Sequence, residues 1–301
     1  MFKTPILFLI FARPDTTKRV FERIKQIQPV KLYVAADAPR RDRPDEIKRS
    51  EEVRSIIELI DWPCEVHTLF RDNNLGCKVA VSSAITWFFS QEEYGIILED
   101  DCLPDLSFFP FCEELLLRYK DDERIGHIGG NNFLNGVIDS KFSYNFCSVS
   151  HIWGWASWRR VWKDYNVNFP YWTEARTDGY KKKSLFINKK EEIYFSTFLS
   201  DVLGRHKGIN TWDTQYYFMH RLQSRLSIYP KVNLVTNIGL HSIEATHTTK
   251  KNDDLFVVSE SIEFPLKHPT YVTSNKEIDY LTVAKCFFSY KRLIRYILGL
   301  Y

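Results

Sequence analysis

No stretch of the 301-residue sequence reaches the run of about 18 apolar residues that a membrane span requires. Zinc-finger spacing and arginine-rich tracts are missing too, and a net charge of +3 is too small to draw in a nucleic acid, so nucleic-acid partners are excluded. There is no Gly-x-Gly-x-x-Gly and no Walker lysine motif, which disfavours a dinucleotide or P-loop nucleotide site; phosphates would have to be held by a metal. Cys64, Cys77, Cys102, Cys112, Cys147 and Cys286 include no CxxC pair, and most lie beside apolar residues. That favours reduced, buried thiols in a cytosolic protein over a disulfide frame. Met1-Phe2-Lys3-Thr4 leads straight into Pro5 and an apolar run of strand length instead of a signal peptide, so a cytoplasmic location is expected.

What is present is the composition of a soluble globular protein, 44% hydrophobic and 26% charged, long enough for one large α/β domain or two smaller ones. Aromatics make up 15%, which suits stacking on sugars or bases, although most are expected in the core. The stretch that organises the chain is Tyr94-Gly-Ile-Ile-Leu-Glu99-Asp100-Asp101, an apolar run ending in three acids. Such a run reads as a buried strand of a parallel sheet, with the acids at its carboxyl end, where ligands of open α/β sheets bind. Adjacent anions repel, and a divalent metal would relieve them; oxygen-only ligation suits Mn²⁺ or Mg²⁺. Alternation along the strand predicts Glu99 and Asp101 on one side and Asp100 on the other.

Strands are predicted at residues 5–11, 31–36 and 65–70, with helices after each, so the acid-tipped strand is the fourth of a strict β-α series. The predicted fold is α/β, a doubly wound, mostly parallel, Rossmann-like sheet with a less regular second half. Arg13, Asp37, Arg71 and Asp101 each follow a different strand end and converge on one crevice if the sheet forms. Further on, Trp155, Trp158 and Trp162 recur at helical spacing, which favours core packing, while Gly154 beside them would let backbone approach a ligand. Asp213 opens a helical pattern and is by itself an N-cap. His241 and His247 sit in a polar loop, where histidines are usually ordinary and only sometimes ligate metal. Over residues 280–301, Lys285, Lys291, Arg292 and Arg295 lie largely opposite an apolar stripe. This amphipathic pattern fits a helix on the inner face of a membrane, a helix docked on the domain, or a partner interface.

The segment Leu98-Glu-Asp-Asp-Cys-Leu-Pro-Asp-Leu-Ser-Phe-Phe109 resembles the hallmark of the GT-A glycosyltransferases, most specifically N-acetylglucosaminyltransferase I and its bacterial relatives. In those enzymes an apolar strand ends in Glu-Asp-Asp, followed by a hydrophobic residue, a proline and an Asp-x-Phe-Phe helix start. The resemblance implies that Arg13 and Asp37 contact the nucleotide base, that Glu99 and Asp100 approach the ribose and donor sugar, and that Asp101 binds the metal. It implies that Gly154 and Trp155 lie near donor and acceptor, that Asp213 of the Trp212-Asp213 pair is the catalytic base, and that a loop near His241 to Thr248 covers the pyrophosphate, with His247 a second metal ligand beside Asp101. Cys102 departs from the family's aliphatic residue, and the Golgi enzymes' anchor and stem have no counterpart, which points to a bacterial cytosolic protein.

The expected function is therefore metal-dependent, inverting transfer of a sugar from a nucleotide-diphosphate donor, a UDP-sugar above all, to a hydroxyl of a glycan or glycolipid acceptor. Residues 1–130 would form the donor half, 131–250 the acceptor half and 251–301 a C-terminal extension. A sugar nucleotidyltransferase and a non-catalytic glycan-binding module are the alternatives; the first normally carries a glycine-rich loop after its first strand, and Phe11-Ala12-Arg13-Pro14-Asp15 is not one.

Overall fold

The computed structural model of the chain describes residues 1–172, 185–202, 209–240, 255–287 and 290–299. Strands β1 (Ile6–Ile10), β2 (Lys31–Ala36), β3 (Glu65–Phe70) and β4 (Tyr94–Glu99) alternate with helices α1 (Pro14–Ile27), α2 (Pro44–Arg54) and α3 (Gly76–Gln91). All five residues of β1 are buried, as are four of the six in β4, because helices cover both faces of the sheet. Each fully buried aliphatic side chain there stabilises the fold by about 1.5–3 kcal/mol. Helix α1 starts on Pro14, whose missing N–H costs nothing at the first position, and buries Thr17, Val20, Phe21 and Ile24 along one face. Helix α2 is shorter than its apolar pattern suggests: from Ser55 to Leu59 the chain tightens into a 3-10 turn.

Beyond β4 come β5 (Cys102–Pro104), α4 (Phe108–Arg118), β6 (Ile125–Gly129), β7 (Tyr144–Cys147), β8 (Trp155–Trp158), α5 (Arg159–Trp162), α6 (Lys189–Val202), α7 (Asp213–Leu222), β9 (Leu226–Pro230), β10 (Val235–Asn237), α8 (Lys276–Cys286) and α9 (Tyr290–Ile297). One sheet has the order β3-β2-β1-β4-β8-β6-β9-β7. The first four strands are parallel, β8 runs antiparallel between β4 and β6, β9 is parallel to β6, and β7 closes the edge antiparallel to β9. The expected mixed α/β, mostly parallel sheet is therefore present. A small antiparallel pair, β5 with β10, sits beside the acid-tipped end of β4, with Asn237 opposite Cys102.

Two expectations need correction. The tryptophan segment is not a helix: Trp155 and Trp158 lie on β8 and face opposite sides of the sheet, and only residues 159–162 turn helically. Spacing misled because both faces of β8 are covered, so every residue from Trp155 to Trp158 is buried and no strand period survives. Trp155 packs against Tyr216 and Trp212, whereas Trp158 donates its indole N–H to the Leu116 carbonyl on the far side. The C-terminal amphipathic stretch is two helices, and two of its cations, Arg292 and Arg295, turn inward while Lys291 stays exposed. Arg292 and Arg295 pair with Asp201 of α6, and Arg292 stacks on Tyr194 and Phe198. Docking on the domain is thus the arrangement found, with Tyr290, Ile294 and Ile297 left exposed. All six cysteines are free, with Cys102, Cys112 and Cys147 buried. Among the described residues, no helix is long and apolar enough to cross a membrane.

Candidate active site

A cavity of about 620 Å³ opens at the carboxyl ends of β1 to β4. Its lining brings together Arg13, Asp37, Arg71, Glu99, Asp100, Asp101 and Asp213, all the described charged residues that the sequence singled out. Gly154 and Trp155 are not in it. A Cβ on Gly154 would meet the Val235 side chain at 2.8 Å, so the close approach that this glycine permits is to β10 and not to a ligand, and Trp155 is wholly buried behind the wall. Ile152 and Trp153 line the cavity in their place. His247 lies outside the described residues.

Strand β4 ends at Glu99, and residues 100–101 form a turn, so the alternation predicted for the three acids stops at the first. Asp100 and Asp101 consequently reach the same partner. Arg13, at the end of β1, places one terminal guanidinium nitrogen 2.6 Å from Asp100 and the other 2.7 Å from Asp101. The Phe11 amide also donates to Asp100, which is only 2% exposed. Burial pulls the Arg13 guanidinium down, but the Asp100 and Asp101 charges outweigh it and hold its pKa above the usual range. Among the described residues no cation forms an ion pair with Glu99: burial first, then the charges of Asp101 and Asp100, outweigh the pull of Arg13 and push its carboxyl up to about 8. It keeps its proton at neutral pH. Burial likewise raises Asp100, to about 6, against the pull of Arg13.

Asp37 does not present a free carboxylate to the cavity. It accepts the amides of Leu75 and Gly76, each at 2.9 Å, and so ties the end of β2 to the start of α3. Arg71 donates to Ser83 at 2.9 Å, and Arg54 donates to the carbonyls of Asp37 and Arg71. Arg40 and Arg49, which sequence reasoning passed over, stand on the same rim. Both sit in the charged stretch around α2, where nothing in the local pattern separates a rim arginine from a solvated one.

The opposite wall carries Asp213. It is the first residue of α7, not its cap: Trp212 occupies the cap position, and no side chain caps the helix. The Asp213 carboxylate instead accepts the hydroxyl of Thr211 at 2.6 Å and that of Thr214 at 3.2 Å, both on Oδ1. Behind it stands a buried aromatic wall of Trp155, Trp162, Trp212 and Tyr216. His127 completes the wall: Nε2 donates to the His151 carbonyl at 2.9 Å, which leaves Nδ1 to accept the Tyr216 hydroxyl at 3.2 Å. The two walls feel each other. Burial, then the charges of Glu99 and Asp213 together, push the thiol of Cys77 in the cavity lining up to about 12.

Among the described residues no three His, Cys, Asp or Glu side chains converge as a closed metal cage. A divalent ion would rest on Asp101, 14% exposed at the cavity edge, with water and substrate oxygens completing its shell. That one-carboxylate, oxygen-only donor set is of the kind Mg²⁺ and Mn²⁺ accept.

No family model matches the chain, and no curated protein sequence matches it. Solved structures with a similar fold are HddC from Yersinia pseudotuberculosis, one of its structures being complexed with GMP-PN, a 4-diphosphocytidyl-2C-methyl-D-erythritol synthase from Anaerococcus prevotii, and an apo UDP-glucose pyrophosphorylase. HddC is 10% identical, with 54% of this chain and 80% of that one covered at a TM-score of 0.33. The synthase is 8% identical, with 74% and 100% covered at 0.34. The pyrophosphorylase is 10% identical, with 81% and 95% covered at 0.39. Likeness at this level carries no argument about family or activity, and the GT-A resemblance rests on the motif residues alone.

Proposed function

We propose that the chain is a transferase acting on a nucleotide sugar and, more finely, that it moves the sugar of a nucleotide-diphosphate donor, a UDP-sugar first, to a hydroxyl of a glycan or glycolipid. The observation that carries this reading is the pair of carboxylate stations across one cavity, an acid cluster pinned by Arg13 on one wall and Asp213, not used as a helix cap, on the other. In this reading Asp213 takes the proton of the attacking hydroxyl, a role that general bases fill with gains of about 10²–10⁴. Protonated Glu99 donates a hydrogen bond to a donor hydroxyl, and Arg71 with its arginine neighbours faces the nucleotide. Mn²⁺ or Mg²⁺ on Asp101 would supply Lewis-acid neutralisation of the departing diphosphate. Transfer from the face opposite the leaving group inverts the anomeric centre. Peripheral contact with the inner membrane belongs to the same reading, through the outward Tyr290, Ile294 and Ile297.

A second reading, sugar nucleotidyl transfer, accords with the names of the solved structures above, which carry it no further. Against it stands the turn after β1, where Arg13 is spent on Asp100 and Asp101 and no glycine-rich loop offers amides to a triphosphate. Calorimetric titration of UDP with Mn²⁺ and then with EDTA, followed by a panel of UDP-sugars and of nucleoside triphosphates with sugar 1-phosphates, separates the two. Release of UDP from a UDP-sugar supports glycosyl transfer. Release of pyrophosphate from a triphosphate replaces it with the second reading, and no nucleotide binding in either condition leaves a glycan-binding module.

A further inference from the structure

At the mouth of the cavity one side chain joins the two walls. Asn210 Oδ1 accepts the Lys78 amide, in the first turn of α3, at 2.8 Å. A Cβ on Gly76 would lie 2.4 Å from Asn210 Nδ2, so any other residue here would push that side chain aside, and a φ of +74° suits glycine for the backbone as well. The same loop is gripped from the sheet side, where Asp37 accepts the amides of Leu75 and Gly76. One residue on from Asn210, the Thr211 hydroxyl fixes Oδ1 of Asp213, and the Thr211 carbonyl accepts the Gln215 side-chain amide at 3.1 Å. The turn's own backbone bonds, Ile209 amide to Asp201 carbonyl at 3.0 Å and Thr211 amide to Ile209 carbonyl at 3.2 Å, stay in its own half of the molecule.

We infer that Asn210 is a positioning residue for Asp213, a clasp that sets the span between the wall carrying the acceptor base and the wall carrying the donor. The inference rests on the reading of Asp213 as that base. Thr211 then orients the carboxylate and leaves Oδ2 for the incoming hydroxyl, while Asn210 holds the turn against α3. Displacing a reacting group by about 1 Å can cost about 10²-fold in rate, so a clasp that limits such drift acts on turnover and not on nucleotide affinity.

The test uses the full chain with Asn210→Ala and Asn210→Asp, each in the wild-type and in the Asp213→Asn background, on the UDP-sugar and acceptor that the panel identifies. Asn210→Ala is expected to lower kcat about tenfold and to leave the Kd for UDP within about twofold. Asn210→Asp still accepts the Lys78 amide, with its charge favoured at a helix start, and keeps at least about half of wild-type kcat. With Asp213→Asn already present, Asn210→Ala adds less than about twofold, because a residue that acts through another loses its effect with it. A full tenfold loss in that background, or a tenfold weaker Kd for UDP, overturns the inference. Hydrogen exchange of residues 76–80 reads the contact without substrate: Asn210→Ala should speed it at least about threefold, and unchanged exchange overturns the clasp. Faster exchange in the variant of a protein whose wild type transfers no sugar overturns the assignment of Asp213 instead.

Discussion

The two carboxylate stations of the cavity are built in opposite ways. At the end of β4 three acids crowd together, two of them pinned by a single guanidinium and the third kept protonated by its neighbours and by burial. On the far wall Asp213 stands alone among hydroxyls, with no cation within its hydrogen-bonding shell among the described residues. A crowded anionic site gains when more positive charge arrives; a solitary carboxylate held on one oxygen by two hydroxyls keeps its other oxygen for a further partner. If the proposed reading holds, the first wall handles charge and the second the proton, and the two should fail differently.

The largest difference is expected from cutting each station in turn. Asp101→Ala should weaken metal-dependent UDP binding at least about 100-fold by calorimetry, whereas Asp213→Asn should leave that binding within about twofold and lower transfer by about 10³. An Asn variant transferring at the wild-type rate would remove the base from this wall. Next in size is the pin itself. Arg13→Met leaves Asp100 buried without its cation, and losing one partner of a buried pair costs about 3–5 kcal/mol. Because Arg13 is 24% exposed, the lower end of that range is expected in urea unfolding, and adding Asp100→Asn should restore most of it. A destabilisation of Arg13→Met that the second change leaves untouched would mean that the acids are not what Arg13 holds.

Acid should separate the walls further. Burial depresses His127 and His151 to about 3, so each is neutral in the folded protein and takes up a proton readily only when unfolded. Their contribution is complete above the unfolded value near 6.5 and falls as the pH drops from there towards 3, by about 1 kcal/mol per pH unit for each histidine within that window. Glu99 has the opposite sign: its raised carboxyl favours the fold below about 4.5 and loses that contribution as the pH rises through about 8. Urea midpoints across pH 4–7 should therefore shift less in His127→Asn than in the wild type; equal slopes would mean that the aromatic wall does not depend on a neutral imidazole. The smallest effect concerns neither wall. Ile294→Asp with Ile297→Asp should lower binding to anionic lipid vesicles by a few fold, while added salt changes it little because Arg292 and Arg295 are engaged with Asp201.

How much of this was readable in the sequence follows from how local each feature is. The strands up to Glu99 and their helices were legible because each carries its own apolar run, and Arg13, Asp37, Arg71 and Asp101 could be brought to one edge because parallel strands share their carboxyl ends. Strand β8 was not, since a segment buried on both faces has no period and its three tryptophans happened to fall at helical spacing. The pairing of Asp100 and Asp101 on one arginine was hidden because the strand stops at Glu99, two residues short of Asp101, to which its alternation had been extended. Asn210 carried no signal at all: its contact spans 132 positions, and only the fold brings it to Gly76. The inward turn of Arg292 and Arg295 was hidden for the same reason, because Asp201 lies far away in sequence.

The assembly of the cavity also sets when activity can first appear. Its floor comes from β1, its acids from the turn after β4, Asp213 from the start of α7, and β10 locks beside the acids by pairing with β5 and by the Ile238 amide on the Asp101 carbonyl at 2.8 Å. A chain emerging from the ribosome at about 5–20 residues per second therefore carries the acid cluster for several seconds to some tens of seconds before Asp213 is made. On the proposed reading, a chain in that interval lacks its proton acceptor, and every fragment ending before β10 should be inert however well its first four strands have folded.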